Sequence, residues 1–189
     1  MYVLPSEASE AEFRELLGYW QSKTAPGRLP GRQHIDPTDL QPRHLSQLLL
    51  LDVVDAAAPK LRRRYRFRVA GTAFAGIAGR DVTGLHYDEI GAPERAMPVI
   101  RALDLVVARK APVFLSGRLS IPSQDYIWVK RLGLPLAQDG ENVDMILAIW
   151  LVERRSIADL ARNDPASEAG TPQVLERVYL LRCQLIHGA

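Results

Sequence analysis

The stretch RRRYRFRVAGT, residues 62–72, places five arginines in seven positions and interleaves them with Tyr65 and Phe67. Two readings compete for it. A basic run carrying aromatics suits phosphate contacts and base stacking. A β-strand with one solvated face fits the same letters. In a strand, Arg62, Arg64, Arg66 and Arg68 point one way, and Arg63, Tyr65, Phe67 and Val69 point the other. The aromatic and β-branched set then forms a core face, and Gly71 closes the strand.

Charge favours the strand. From Ala56 to Arg80 there are seven cations and no acid, whereas the rest of the chain has 17 cations against 22 acids. Nucleic-acid binders usually show a wider basic footprint. A third use of the arginines is pairing with an anionic ligand or with a partner's acids.

The same reading extends along the 189 residues. Leu48–Val54 is an apolar run of strand length. Upstream, Ser9 and Glu12 have capping-box spacing, and Phe13, Leu16, Leu17 and Trp20 recur on one helical face that fades near Lys23. A Pro- and Gly-rich connector follows over residues 25–43, with a short helix expected from Thr38 to about Leu45. Downstream, Thr72–Gly79 reads as a small helix. Pro93 opens a long one to about residue 110, with Met97, Ile100, Leu103, Val106 and Val107 as its buried face. Val113–Ile121, Tyr126–Ala137 and Val143–Val152 read as three strands joined by hairpin loops. The last is apolar on both faces and needs cover on both. After residue 153 a polar linker leads to a helix expected from Thr171 to about His187, with Val174, Val178, Leu181 and Leu185 as its seam.

This order predicts an α+β fold, a five-stranded antiparallel sheet with helices on one face, plus N-terminal and C-terminal helices. The expected divisions are residues 1–43 (helix and connector), 44–153 (the domain) and 154–189 (linker and C-terminal helix).

The sequence resembles PAS domains, in particular the single-domain PAS-like proteins of alphaproteobacteria. The resemblance rests on Trp20 with Lys23, LPGRQHIDPTDL (29–40), LLLLDVV (48–54), RYRFRVAGT (64–72), GRDVTGLHYDEI (79–90) and GLPLAQDGENVDMIL (133–147). It implies a PAS-like fold and a sensor or interaction module with a cleft between sheet and helices. The cleft candidates are Phe67, Val69, Phe74, Ile77, Leu85, Ile90, Trp128 and Trp150. The last two are paired as large aromatics on neighbouring strands.

Polar contacts to ligand or partner are assigned to Arg64, Arg66, Arg68 and His86. His86 precedes the long helix, a region from which some haem-binding PAS domains donate an axial histidine. A turn residue is the simpler explanation, and the cofactor expected is a small organic ligand or none. His34, His44, His86 and His187 lack metal-ligand spacing, and Cys183 is expected to make an apolar contact. No phosphate loop, dinucleotide fingerprint or nucleophile elbow is present, so no catalytic residue is assigned.

Without a secretion-signal pattern or an apolar run of membrane length, a cytoplasmic location is expected. The functional expectation is a stand-alone regulatory module that binds a small molecule, an unidentified signalling protein, or both. A homodimer is expected through Phe13, Leu16, Leu17 and Trp20 together with the outer face of the last strands. The alternative is a nucleic-acid-binding protein using residues 60–68.

Overall fold

The computed structural model describes residues 1–55, 63–90, 93–119, 127–154 and 177–182. Six antiparallel strands form one sheet: β1 (Leu48–Asp55), β2 (Arg63–Ala70), β3 (Val113–Leu119), β4 (Ile127–Leu136), β5 (Met145–Arg154) and β6 (Arg177–Leu180). Their order across the sheet is β2-β1-β5-β4-β3-β6. The four helices are α1 (Ala11–Ser22), α2 (Pro42–Leu45), α3 (Thr72–Ala78) and α4 (Pro93–Arg109).

Period-two alternation divides each strand between two cores. Leu49, Leu51, Tyr65, Phe67, Val129, Ile146, Ala148 and Trp150 face α3 and α4, forming the inner core. Leu48, Leu50, Phe114, Leu132, Leu134, Leu147 and Ile149 face α1, forming the outer core. This explains why β1 and β5 are apolar along nearly their whole length. Both of their faces are covered within the chain.

The α+β, PAS-like arrangement expected from sequence is found, with two corrections to its outline. Helices cover both faces of the sheet, because α1 packs on the outer one. The sheet has six strands rather than five. Residues 177–180, expected in a helix, form β6 and pair with β3 from Val113↔Leu180 to Ser116↔Arg177. The edge of β3 offers unpaired backbone groups, and Val178 and Tyr179 suit a strand, so pairing overrides the helical seam. Leu181 is buried beyond the strand. Val174, Cys183, Leu185 and His187 lie outside the described residues, as does the 122–125 loop.

Two local expectations also shift. Helix α1 starts at Ala11 with Glu10 as its N-cap residue, not Ser9, and no side chain caps it. The helix expected over 38–45 splits at Pro42 into a 3₁₀ turn (Pro37–Asp39) and α2.

Candidate functional site

The candidate site is the cleft between the inner sheet face and its roof of α3, the 3₁₀ turn Tyr87–Glu89 and α4. The backbone of 84–86 folds against β2. Phe67 donates its N–H to Leu85 O at 2.9 Å, and Gly84 donates to Phe67 O at 2.7 Å. Helix α3 is held at its start by the N–H of Gly71 on Leu48 O (2.8 Å) and of Ala73 on Ser46 O (2.9 Å). A Cβ at Gly71 would stand 2.3 Å from Ser46 O, so only glycine fits there. Gly79 ends the helix in the left-handed region, with φ 69°.

Aromatic rings fill much of the cleft. Phe67 stacks on Tyr87 at 5.3 Å and meets Phe74 at 5.2 Å, and Phe74 lies edge-on to Trp150 at 5.1 Å. Ile77, Leu85 and Ile90 are half-buried against the same cluster. Six of the eight residues expected in the cleft therefore come together.

The other two do not. Val69 is 50% exposed. A β-bulge explains it: Leu51 pairs with Phe67 and Leu50 with Val69, so Arg68 is an extra residue and the alternation changes phase. Val69 is turned to the outer face, and Ala70 takes the inner position beside Leu49. Trp128 pairs with Glu153, whereas Trp150 pairs with Arg131. Since Val129 is an inner residue, Trp128 occupies the outer face and the two tryptophans do not share a cleft.

Three of the four arginines of β2 are matched by acids of the same chain. Arg64 binds Asp88 at 2.9 Å and Glu89 at 2.8 Å. Arg66 and Arg68 grip the two oxygens of Asp52 at 2.8 and 2.7 Å. Burial alone raises the Asp52 pKa, but hydrogen bonds from Arg68 and then Arg66 outweigh it and hold the carboxyl below its ordinary value. Glu89 is drawn down to about 2, first by the backbone N–H of His86 and then by Arg64. His86 sits in this turn, with Nδ1 3.5 Å from Glu89. Three arginines thus meet three carboxylates, which leaves no net basic patch among these six side chains for phosphates.

Phe13, Leu16, Leu17 and Trp20, expected at an intermolecular surface, are buried inside the chain. Phe13 lies edge-on to Phe114 at 5.4 Å. Trp20 donates Nε1–H to Pro135 O at 2.8 Å. They seal the outer sheet face, so a dimer contact through them requires α1 to leave.

Two groups in the cleft were not singled out from sequence. Tyr65 donates its hydroxyl to Asp104 of α4 at 2.6 Å. Burial, and then that bond, push the phenol far above its ordinary value. Arg131 lies on the inner face among apolar neighbours. Lys130-Arg131 reads as one exposed basic pair, but strand alternation puts one cation on each face. The alternation Val129, Arg131, Gly133 was the available signal.

Free space in the cleft amounts to about 30 Å³, bounded by residues such as Leu103, Val106, Arg131 and Trp150. Organic ligands occupy pockets of roughly 300–1,000 Å³. A haem or flavin therefore does not fit this arrangement. Among the described residues, no three His, Cys, Asp or Glu side chains converge as metal ligands. Nor is any described helix long and apolar enough to cross a membrane.

The family model described as "PAS domain" matches residues 8–151, and the chain belongs to that family. No curated protein matches it in sequence. Among solved structures it is similar to the PAS domain of BvgS from Bordetella pertussis (17% identity, TM-score 0.46, 62% of this chain and 83% of that one). It is also similar to a light-oxygen-voltage domain studied with a flavin analogue (14%, 0.43, 62% and 84%). An RNA-binding light-oxygen-voltage receptor matches at 22% identity and TM-score 0.37, over 65% of this chain and 35% of that one.

Proposed function

We propose that this chain is a non-catalytic sensory or regulatory PAS module, acting in the cytoplasm, in which displacement of α3 opens the cleft and changes what a partner meets. The observation that carries the reading is the contrast within the roof. Helix α4 contributes Ala96, Val99, Ile100, Ala102, Leu103, Val106 and Val107 to the buried core, while α3 has no fully buried residue and is bounded by Gly71 and Gly79. An element with few buried contacts opens at small free-energy cost. A small molecule that fits only the open form shifts the population towards it.

A homodimer is part of the proposal, without the α1 residues as its surface. Nucleic-acid binding through residues 60–68 is disfavoured, because Arg64, Arg66 and Arg68 are already paired; Lys60 and Arg62 lie outside the described residues.

Native mass spectrometry on the full chain, with hydrogen exchange on the same sample, tests the reading. The expected result is a dimer, a small-molecule mass excess in protein from its own type of host, and α3 amides exchanging far faster than those of β5. A monomer at micromolar concentration, with no mass excess and with α3 protected like β5, would overturn it.

A further inference from the structure

Near the middle of the inner sheet face stands a cation, Arg131, with no acid paired to it among the described residues. Arg131 lies near the middle of β4, between Val129 and Gly133, with Leu115 of β3 and Trp150 of β5 as its register partners. It borders the small cavity under α4 and has no ion pair or hydrogen bond among the described residues. Its neighbour Lys130, on the opposite face, is satisfied by Glu10. Trp150 is 2% exposed, and its Nε1 is buried without an acceptor. Other buried donors in this chain have partners: Trp20 Nε1 has Pro135 O and Tyr65 has Asp104.

Two donors, one of them charged, thus stand on paired positions of one sheet face, where side chains lie about 5 Å apart at Cβ. Leaving the buried indole N–H unanswered is costly, and a charged acceptor relieves it while pairing with the half-buried Arg131. The guanidinium fork matches a carboxylate bidentately. Apart from Tyr87, the other side chains of the cavity wall, Leu49, Leu51, Val99 and Val106 among them, are aliphatic.

We propose that the cleft takes an apolar monocarboxylate, its headgroup held by Arg131 and Trp150 Nε1 and its tail lying along the aliphatic wall beneath α4. This rests on the regulatory-module reading above, and it names the chemistry that module would sense. Phe74 lies against Trp150, so swinging α3 outward frees that face of the indole for the headgroup.

Titration calorimetry on the full chain tests it, with hexanoate as probe and hexanamide as its uncharged counterpart. Hexanoate is expected to bind, and hexanamide about tenfold or more weakly, as loss of a charged pair implies. Arg131→Gln should bring hexanoate down to the level of hexanamide, and Trp150→Phe should weaken it about fivefold, the worth of one hydrogen bond. Arg131→Met keeps the packed stem, so it serves if the glutamine variant unfolds. Failure of hexanoate to bind at millimolar concentration, or equal binding to wild type and Arg131→Met, would overturn the headgroup site. Equal affinity for hexanoate and hexanamide would also overturn it, yet would leave the regulatory module standing. That module falls only on the mass and exchange results described above.

Discussion

The two faces of the sheet are closed in different ways. The outer face is covered by α1 and tied down by several polar contacts, although Glu10 Oε2 is buried there without a partner. Trp20 donates to Pro135 O, Lys130 meets Glu10, and Arg43 donates both to Glu15 and to Nε2 of the buried His44. Glu7 accepts from Tyr179 and so joins the N-terminal segment to β6. The inner face is covered by α4 and a looser α3, and it retains a cation and an indole N–H without acceptors. The difference teaches where change can occur at low cost. Opening the outer face would strand several charges and a large aromatic at once. Opening the inner face under α3 exposes half-buried rings and gives two orphan donors access to water or ligand.

Trp20→Ala should break this comparison most severely. It removes a side chain only 1% exposed together with its hydrogen bond, and a loss of about 3–5 kcal/mol in urea unfolding is expected. An unchanged midpoint would mean that α1 is not a structural cover.

Lys130→Met should follow, at about 1–3 kcal/mol, because the Glu10 carboxylate would be left without its cation, and Glu10 Oε2 is already buried without a partner. Adding Glu10→Gln should recover most of the loss, and a double-mutant cycle measures this. If the two changes simply add, the pair does not fasten the outer cover.

Phe74→Ala is expected to cost about 1–2 kcal/mol, less than a fully buried phenylalanine, and to speed exchange in α3 while leaving α1 unchanged. A penalty as large as that of Trp20→Ala would erase the distinction between the faces.

Acid should loosen the edge formed by β2 before it affects α1. Asp52 and Glu89 have folded pKa values below their unfolded ones. Their contribution is therefore present above the unfolded carboxylate range and is lost as pH falls through it towards about 2. Amide chemical shifts at 63–68 and 86–89, followed through that window, should move together. Arg64→Gln should raise the pH at which Glu89 titrates.

The smallest effect belongs to Val69→Thr. On the exposed side of the bulge it should stay within about 0.5 kcal/mol. A larger loss would return Val69 to the core and remove the bulge.

Much of this was legible in the letters. Alternation marked β2, apolar runs of strand length marked β1 and β5, and the doubly apolar β5 announced two covers. What escaped shares one physical cause: contacts made far along the chain. Arg68 as an extra residue follows from pairing with β1, which local alternation in β2 does not encode. Residues 177–180 are strand because β3 offers an edge, although their spacing suits a helix. Phe13 to Trp20 were readable as a buried face, but not as one buried by the chain's own sheet. The cleft was readable in its aromatics, while Arg131 was hidden by Lys130 beside it, since which of two adjacent cations turns inward depends on register alone.

The bulge at Arg68 also leaves a written trace. A homologue with an unbroken ladder would have one residue fewer between the aromatic at Phe67 and the obligatory glycine at Gly71. The length of that interval can therefore serve as a marker when chains of this kind are aligned. Equal length predicts the same doubly clamped aspartate, whereas a gap of one predicts an aspartate held by a single arginine, with the valine and alanine still opposite Leu50 and Leu49.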